Sequence, residues 1–229
     1  MYMFSYVINN PNNFVIKDDY YMIPFGHRCS SALVCKFSNT RKFSLPFDWN
    51  IPLFPKKIQK VLENNFDDFI PDVHNGIFCN KYDIALAHFN SNIDEGIEEY
   101  KRRIIRFNTI INQSKKIYFI YMNEDYLYNV DYRQDEFNDN IFNEMLELEN
   151  FIQDKYKNID YNILYFNFKH HTIPTDSNII NIVLHTTHLY DTEINAPFDK
   201  FRIFCAKILS GLFNTQLTFD CDIDTVFNN

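Results

Sequence analysis

The chain has 229 residues, 46% of them apolar, 17% aromatic and 23% charged, with a net charge of −8. That balance excludes disordered, collagen-like and low-complexity chains, and at this length a core forms without disulfide staples. Four glycines in the whole chain, at Gly26, Gly76, Gly96 and Gly211, stand too far apart for a dinucleotide fingerprint or a phosphate-binding P-loop.

In chain order, Tyr2–Ile8 and Phe14–Ile16 read as two strands joined by the turn Asn9-Asn10-Pro11-Asn12-Asn13, an N-terminal hairpin over 1–17. Tyr20–Pro24 is a short apolar run ending near Gly26, and a helix is expected over Cys29–Phe37. From Pro55, Ile58, Val61, Leu62, Phe66 and Phe69 recur at helical spacing, and Gly76–Cys79 and Ile84–Phe89 read as short strands.

Ile93, Ile97, Tyr100, Ile104, Phe107 and Ile111 are spaced 4-3-4-3-4, one apolar stripe along a helix, with Ser91 and Asp94 as its capping box. Glu98–Arg102 and Glu99–Arg103 are i,i+4 pairs in the favourable order on its solvated face. Lys116–Met122 (KIYFIYM) is too short for a helix and aromatic-rich, hence a buried strand. A helix burying Ile141, Phe142, Met145, Leu148 and Ile152 follows, then strands at Asn162–Phe168 and Ile179–His185. Pro197 opens a last helix burying Phe198, Phe201, Cys205, Ile208 and Leu212.

Strand and helix alternate through the second half, and the chain shows neither a linker nor a repeat. The expected fold is α/β: one layered domain over 1–229 with a mixed central sheet flanked by helices. A motif-bearing region at 20–122 and a C-terminal β/α region at 123–229 divide it.

The acidic charge argues against nucleic acid, since the densest basic run, Lys101-Arg102-Arg103 with Arg106, is answered by acids of its own helix. No apolar run approaches the ~20 residues of a membrane span, and Met1–Asn13 lacks the pattern of a signal peptide. Five scattered cysteines, Cys29, Cys35, Cys79, Cys205 and Cys221, read as reduced thiols in a cytoplasmic setting. Scarce Ala beside abundant Asn, Ile, Phe, Tyr and Lys follows AT-rich codons, as in the genome of a large DNA virus or a protist.

Three places carry candidate chemistry. Cys29, three residues after Gly26, starts a helix just past a strand, where free N–H groups favour a thiolate nucleophile; Cys35, within the same helix, reads as core. Asp48 stands between Phe47 and the only tryptophan, Trp49, either orienting a partner or satisfying backbone donors. His88 closes an apolar strand, where it serves as a base or as a satisfied core histidine, and Asn90 follows it. A cysteine, a histidine and a carboxylate or amide form the arrangement for thiol activation. A competing metal constellation, His185 and His188 with Asp191, fails on a strand, where side chains three apart face opposite sides; His170-His171 fails likewise. No metal or cofactor is expected.

Phe25-Gly26-His27-Arg28-Cys29, Pro46-Phe47-Asp48-Trp49, Ala87-His88-Phe89-Asn90 and Tyr100-Lys101-Arg102-Arg103-Ile104-Ile105-Arg106-Phe107 occur in this order. Together they resemble the papain-like cysteine peptidase family of viruses and bacteria, over about residues 20–122. Pro24-Phe25 stands where that family has Ser-Leu, and His88-Phe89-Asn90 where it has His-Asp-Phe. The resemblance implies a thiol hydrolase, with Cys29 as nucleophile, His88 as base and Asp48 or Asn90 orienting the imidazole. It also implies a protein or peptide substrate and the α+β papain-like fold as the alternative architecture. A non-catalytic binding or host-interaction domain, retaining the Pro-Phe-Asp-Trp box for structural reasons, is the competing reading.

Overall fold

A computed structural model describes residues 4–9, 16–113, 115–123, 135–186 and 196–218. Seven strands and five α-helices are described: β1 (Phe4–Asn9), β2 (Tyr20–Pro24), α1 (Ser30–Phe37), β3 (Asn50–Ile51), α2 (Pro55–Glu63), β4 (Ala85–Leu86), α3 (Ile93–Ile111), β5 (Lys116–Met122), α4 (Asp135–Lys155), β6 (Tyr161–Asn167), β7 (Ile179–Thr186) and α5 (Ala196–Phe213). The main sheet runs β1-β7-β6-β5-β2, and β3 and β4 form a separate two-stranded ribbon. Strands β2, β5, β6 and β7 pair in parallel, and β1 closes the far edge antiparallel to β7, with Tyr6 opposite Leu184. The sheet is therefore mixed, as expected for the α/β class. An antiparallel sheet following the cysteine helix, the papain-like alternative, is not the arrangement this chain adopts.

Parallel strands need both faces covered, and the side-chain alternation of β5 divides the core accordingly. Ile117, Phe119 and Tyr121 face α2, α3 and α4, which supply among others Ile58, Phe107, Met145 and Ile152. Tyr118, Ile120 and Met122 face α1 and α5, which supply Val34, Cys35, Phe201, Cys205 and Leu209. All seven residues of β5, which lies between β2 and β6, are buried, so it is the buried strand that its unbroken apolar run predicts.

Several local expectations shift. β1 pairs with β7 rather than with a strand at 14–16; Ile16 is not in a strand, and 10–15 lie outside the described residues. α2 ends at Glu63, with Asn65, Phe66 and Asp68 at positive φ, although Phe66 and Phe69 still enter the core. The expected strand at Gly76–Cys79 is reduced to an isolated bridge from Cys79 to Ala85. The cap of α3 is Asn92 rather than Ser91: its side chain accepts from the Glu95 N–H, and its amide donates 3.0 Å to Glu95 Oε1. Arg103 pairs with Glu99 as expected, but it is buried over the Tyr100 ring, while Glu98 pairs with Lys101. In α5 Leu209 is fully buried and Leu212 only partly so; the side chain of Phe198 lies outside the described residues.

Between α1 and α2 the chain wraps around the β2 edge from one face of the sheet to the other. Phe47 leads it into the core, edge-on to Phe25, Phe69 and Phe107 at 5.5–6.0 Å. Lys42 donates 2.8 Å to the Tyr20 carbonyl, which blunts that open edge.

Candidate active site

The carboxyl ends of the parallel strands converge on one side of the molecule, the usual ligand side of an open α/β sheet. At the end of β2 the Phe25 N–H donates 2.7 Å to Ile120 O, and Gly26 then packs against α1. A Cβ at Gly26 would stand 2.5 Å from Ser31 Oγ and 2.6 Å from Ser31 Cβ, so only glycine lets the strand end and the helix start approach this closely. The Gly26 N–H donates 3.1 Å to Ser31 Oγ, fixing the turn.

Cys29 is the N-cap of α1, half-buried, and no side chain caps the helix. The first-turn N–H groups have no acceptor within the helix, and no acidic residue stands among them. From α5, Arg202 reaches this terminus: Nε donates 2.8 Å to Ser30 Oγ, and Nη2 stands 3.8 Å from Cys29 Sγ. Sulfur, guanidinium and the first-turn amides of the buried Ser30, Ser31 and Ala32 thus lie close together. Cys35 is fully buried, with its thiol pushed up by burial and then by the Asp48 charge.

The other members of the expected triad lie elsewhere. His88 is exposed, at φ 55°, and its ring meets Trp49 edge-on at 5.7 Å. It follows β4 on the small ribbon, and no hydrogen bond joins it to Cys29 among the described residues. Asp48 is wholly buried, ion-paired through Oδ2 with Arg41 and accepting from the Leu45 N–H at 2.9 Å. Burial raises its carboxyl above the usual range, against the pull of Arg41. Its charge acts on Cys35, six residues or about 9 Å along α1 from Cys29. Arg41 also donates 3.1 Å to Ser44, so the box closes the loop around the sheet edge. Asn90 accepts from the Asn92 N–H at 2.9 Å and leads into α3. Among the described residues neither Asp48 nor Asn90 is hydrogen-bonded to His88. Of the four expected residues, only Cys29 stands at the carboxyl edge of the sheet.

Sequence reasoning missed two features there. One is Arg202, which contacts the cysteine from a distant helix. The other is a buried polar row across β5, β6 and β7, comprising Asn123, Asn167, His171 and Asn181. The Asn123 N–H donates 2.8 Å to Phe166 O, and Asn167 donates to Asn181 Oδ1. His171 stacks on Phe142 at 4.1 Å, its carbonyl accepting 3.1 Å from Asn9, while its Nε2 has no partner among the described residues. Asparagines ending the apolar runs KIYFIYMN and YNILYFN are the signal that marks this row.

His188 and Asp191 of the competing metal constellation lie outside the described residues, and His170 and His185 approach ring to ring at 5.7 Å. Among the described residues no group of three or more His, Cys, Asp or Glu side chains is arranged to hold a metal ion, and no helix is long and apolar enough to cross a membrane. Compared with protein-family models, curated proteins and solved structures, the chain matches none.

Proposed function

We propose that the protein is a cysteine-dependent acyl hydrolase, of peptidase or related type, with Cys29 as its nucleophile. One observation carries this reading: Cys29 occupies the N-cap position of α1 at the carboxyl edge of the sheet, beside the first-turn amides and with Arg202 Nη2 3.8 Å from its sulfur. Sulfur attack on an amide or ester carbonyl places negative charge on the carbonyl oxygen. In this reading the first-turn N–H groups of α1 receive that charge as an oxyanion hole, and Arg202 supplies a fixed positive charge beside the reacting sulfur. The Cys29 thiol proton passes to solvent water on attack. Collapse of the tetrahedral intermediate expels the amine or alcohol, which takes its proton from water, and leaves an acyl-Cys29 thioester that water then hydrolyses to the acid and the free thiol. The exposed imidazole of His88 has no part in this scheme, and Asp48 serves the fold. A protein or peptide substrate and a reducing, cytosol-like compartment go with this chemistry.

Incubation with an activated ester such as p-nitrophenyl acetate tests the reading. The expected result is a burst of p-nitrophenol and an acetyl adduct on Cys29 by mass spectrometry, both lost in Cys29→Ser. No adduct on Cys29, or equal turnover in Cys29→Ser, removes the enzyme reading and leaves a binding domain.

A further inference from the structure

Away from the cysteine, at the other end of α1, a surface pocket of about 280 Å³ is lined by Lys36, Asn39, Arg41, Lys42, Phe43, Ser44 and Thr218. In a chain of net charge −8 the lining holds, among the described residues, three cations and no carboxylate. Arg41 is neutralised by the buried Asp48, whereas Lys36 is exposed in the last turn of α1. Lys42 spends one N–H on Tyr20 O and lies over the Tyr20 and Tyr21 rings. Phe43 stands 43% exposed at the pocket, an apolar contact beside the charges. Such a surface suits an acidic peptide carrying an apolar anchor.

Thr218 says where such a peptide comes from. Its N–H donates 2.9 Å to Phe37 O and its hydroxyl 3.2 Å to Lys36 O, so the chain is pinned to the C-terminus of α1 at the pocket itself. The carbonyls at this helix end are thereby answered, which lessens their repulsion of an anion. Residues 219–224 lie outside the described residues; as sequence they read Phe-Asp-Cys-Asp-Ile-Asp, three carboxylates alternating with Phe219, Cys221 and Ile223 and no cation. We propose that this acidic segment docks in its own chain's pocket, with its aspartates toward Lys36 and Lys42 and an apolar side chain against Phe43. Because Thr218 tethers it, the effective concentration is high, and weak surface ion pairs suffice.

Alkylation of Cys221 in the full chain tests this, with the exposed Cys79 as internal reference and mass spectrometry to separate the sites. Lys36→Glu leaves the segment's sequence intact and is expected to raise the Cys221 rate relative to Cys79 by about threefold, the effect of one surface charge pair. Salt at 1 M, where screening is nearly complete, should raise the rate at least as much in the parent chain, since it screens Lys42 as well as Lys36. In a chain carrying Asp220→Asn, Asp222→Asn and Asp224→Asn, which touches nothing in the core, Lys36→Glu should have no effect. An unchanged Cys221 rate in Lys36→Glu overturns the proposal. So does an equal effect of Lys36→Glu with and without the aspartates. Protection that disappears on dilution also overturns it, since the occupant is then a second copy of the chain.

Discussion

Arg202 Nη2 lies 3.8 Å from Cys29 Sγ, bringing the last helix to the start of the first across 173 residues of sequence. The guanidinium is anchored by its 2.8 Å bond to Ser30 Oγ, so its position relative to the sulfur is set by protein structure. Arg202→Met keeps the length of the side chain and removes its charge. The iodoacetamide rate at Cys29 is expected to fall, because the fixed positive charge beside the reacting sulfur is gone. His88→Ala is expected to leave the rate unchanged. A fall in His88→Ala equal to that in Arg202→Met would return the imidazole to the mechanism.

The contact between Gly26 and Ser31 makes a separate prediction. Gly26→Ala forces a Cβ to within 2.6 Å of Ser31 Cβ, and the strand end or the helix start must move. A loss of about 1–3 kcal/mol in urea unfolding is expected, as for an overpacked core site. Ser31→Gly by itself costs about 0.5 kcal/mol through helix propensity and loses the bond from the Gly26 N–H, but it removes both clashing atoms. The double variant should therefore be more stable than the sum of the two single changes predicts. Additivity would mean the turn relaxes without cost.

What was legible in the sequence follows from how local the determining physics is. Lys116–Met122 reads correctly to the residue because a strand buried on both faces has no polar face to blur its limits. The 4-3-4-3-4 spacing likewise locates α3, and Cys29 is placed at its helix start by the turn at Gly26. The cap of α3 slips by one residue because Ser91 and Asn92 are both competent caps, and the choice rests on which of them meets Glu95. Phe47 is the core anchor expected of an aromatic in the Pro-Phe-Asp-Trp box, whereas Trp49 stays half-exposed against Arg41 and His88. The role of Asp48 depends on a loop returning Arg41 to it, and the setting of Cys29 depends on α5 packing beside α1. Both are tertiary events that no spacing rule encodes. His88 ended up on the small ribbon because Asn50 and Ile51 pair with Leu86 and Ala85 rather than with the main sheet.

The Arg41–Asp48 pair should behave as a structural ion pair. Removing one partner strands the other, so Arg41→Met is expected to cost about 3–5 kcal/mol at pH 7. Burial already raises the Asp48 carboxyl in the folded chain, and loss of Arg41 raises it further. A carboxyl raised in the folded state favours folding below its unfolded pKa and loses that support as pH rises through the folded value. The deficit of Arg41→Met should therefore shrink as pH is lowered from 7 toward 4, as followed by urea unfolding at each pH. Asp48→Asn should leave the alkylation rate of Cys29 unchanged, because about 9 Å of helix separates Cys35, the thiol that senses Asp48, from Cys29. A deficit that grows on acidification would contradict the assignment.

His171 gives the fold a pH dependence of the opposite sign. Its side chain is 4% exposed, stacked on Phe142, and burial lowers its pKa to about 4, against 6.5 for the unperturbed group. Asp139, 3.7 Å away, pulls the other way, but it is half in solvent and does not compensate. Lys169 and His170 add to the lowering. Between these two pH values the unfolded chain holds a proton at this position and the folded chain does not. Stability therefore falls as pH drops from about 6.5 to about 4, by up to about 1.4 kcal/mol per pH unit from this one group. His171→Phe keeps the stacking surface and removes the titration, at a site where Nε2 has no partner to lose among the described residues. The unfolding free energies of the two chains should be closest at pH 7 if the ring is accommodated, and should diverge in favour of His171→Phe as pH approaches 4. Parallel curves across that window would show that the imidazole is protonated equally in both states, and would remove the buried histidine as a source of acid sensitivity.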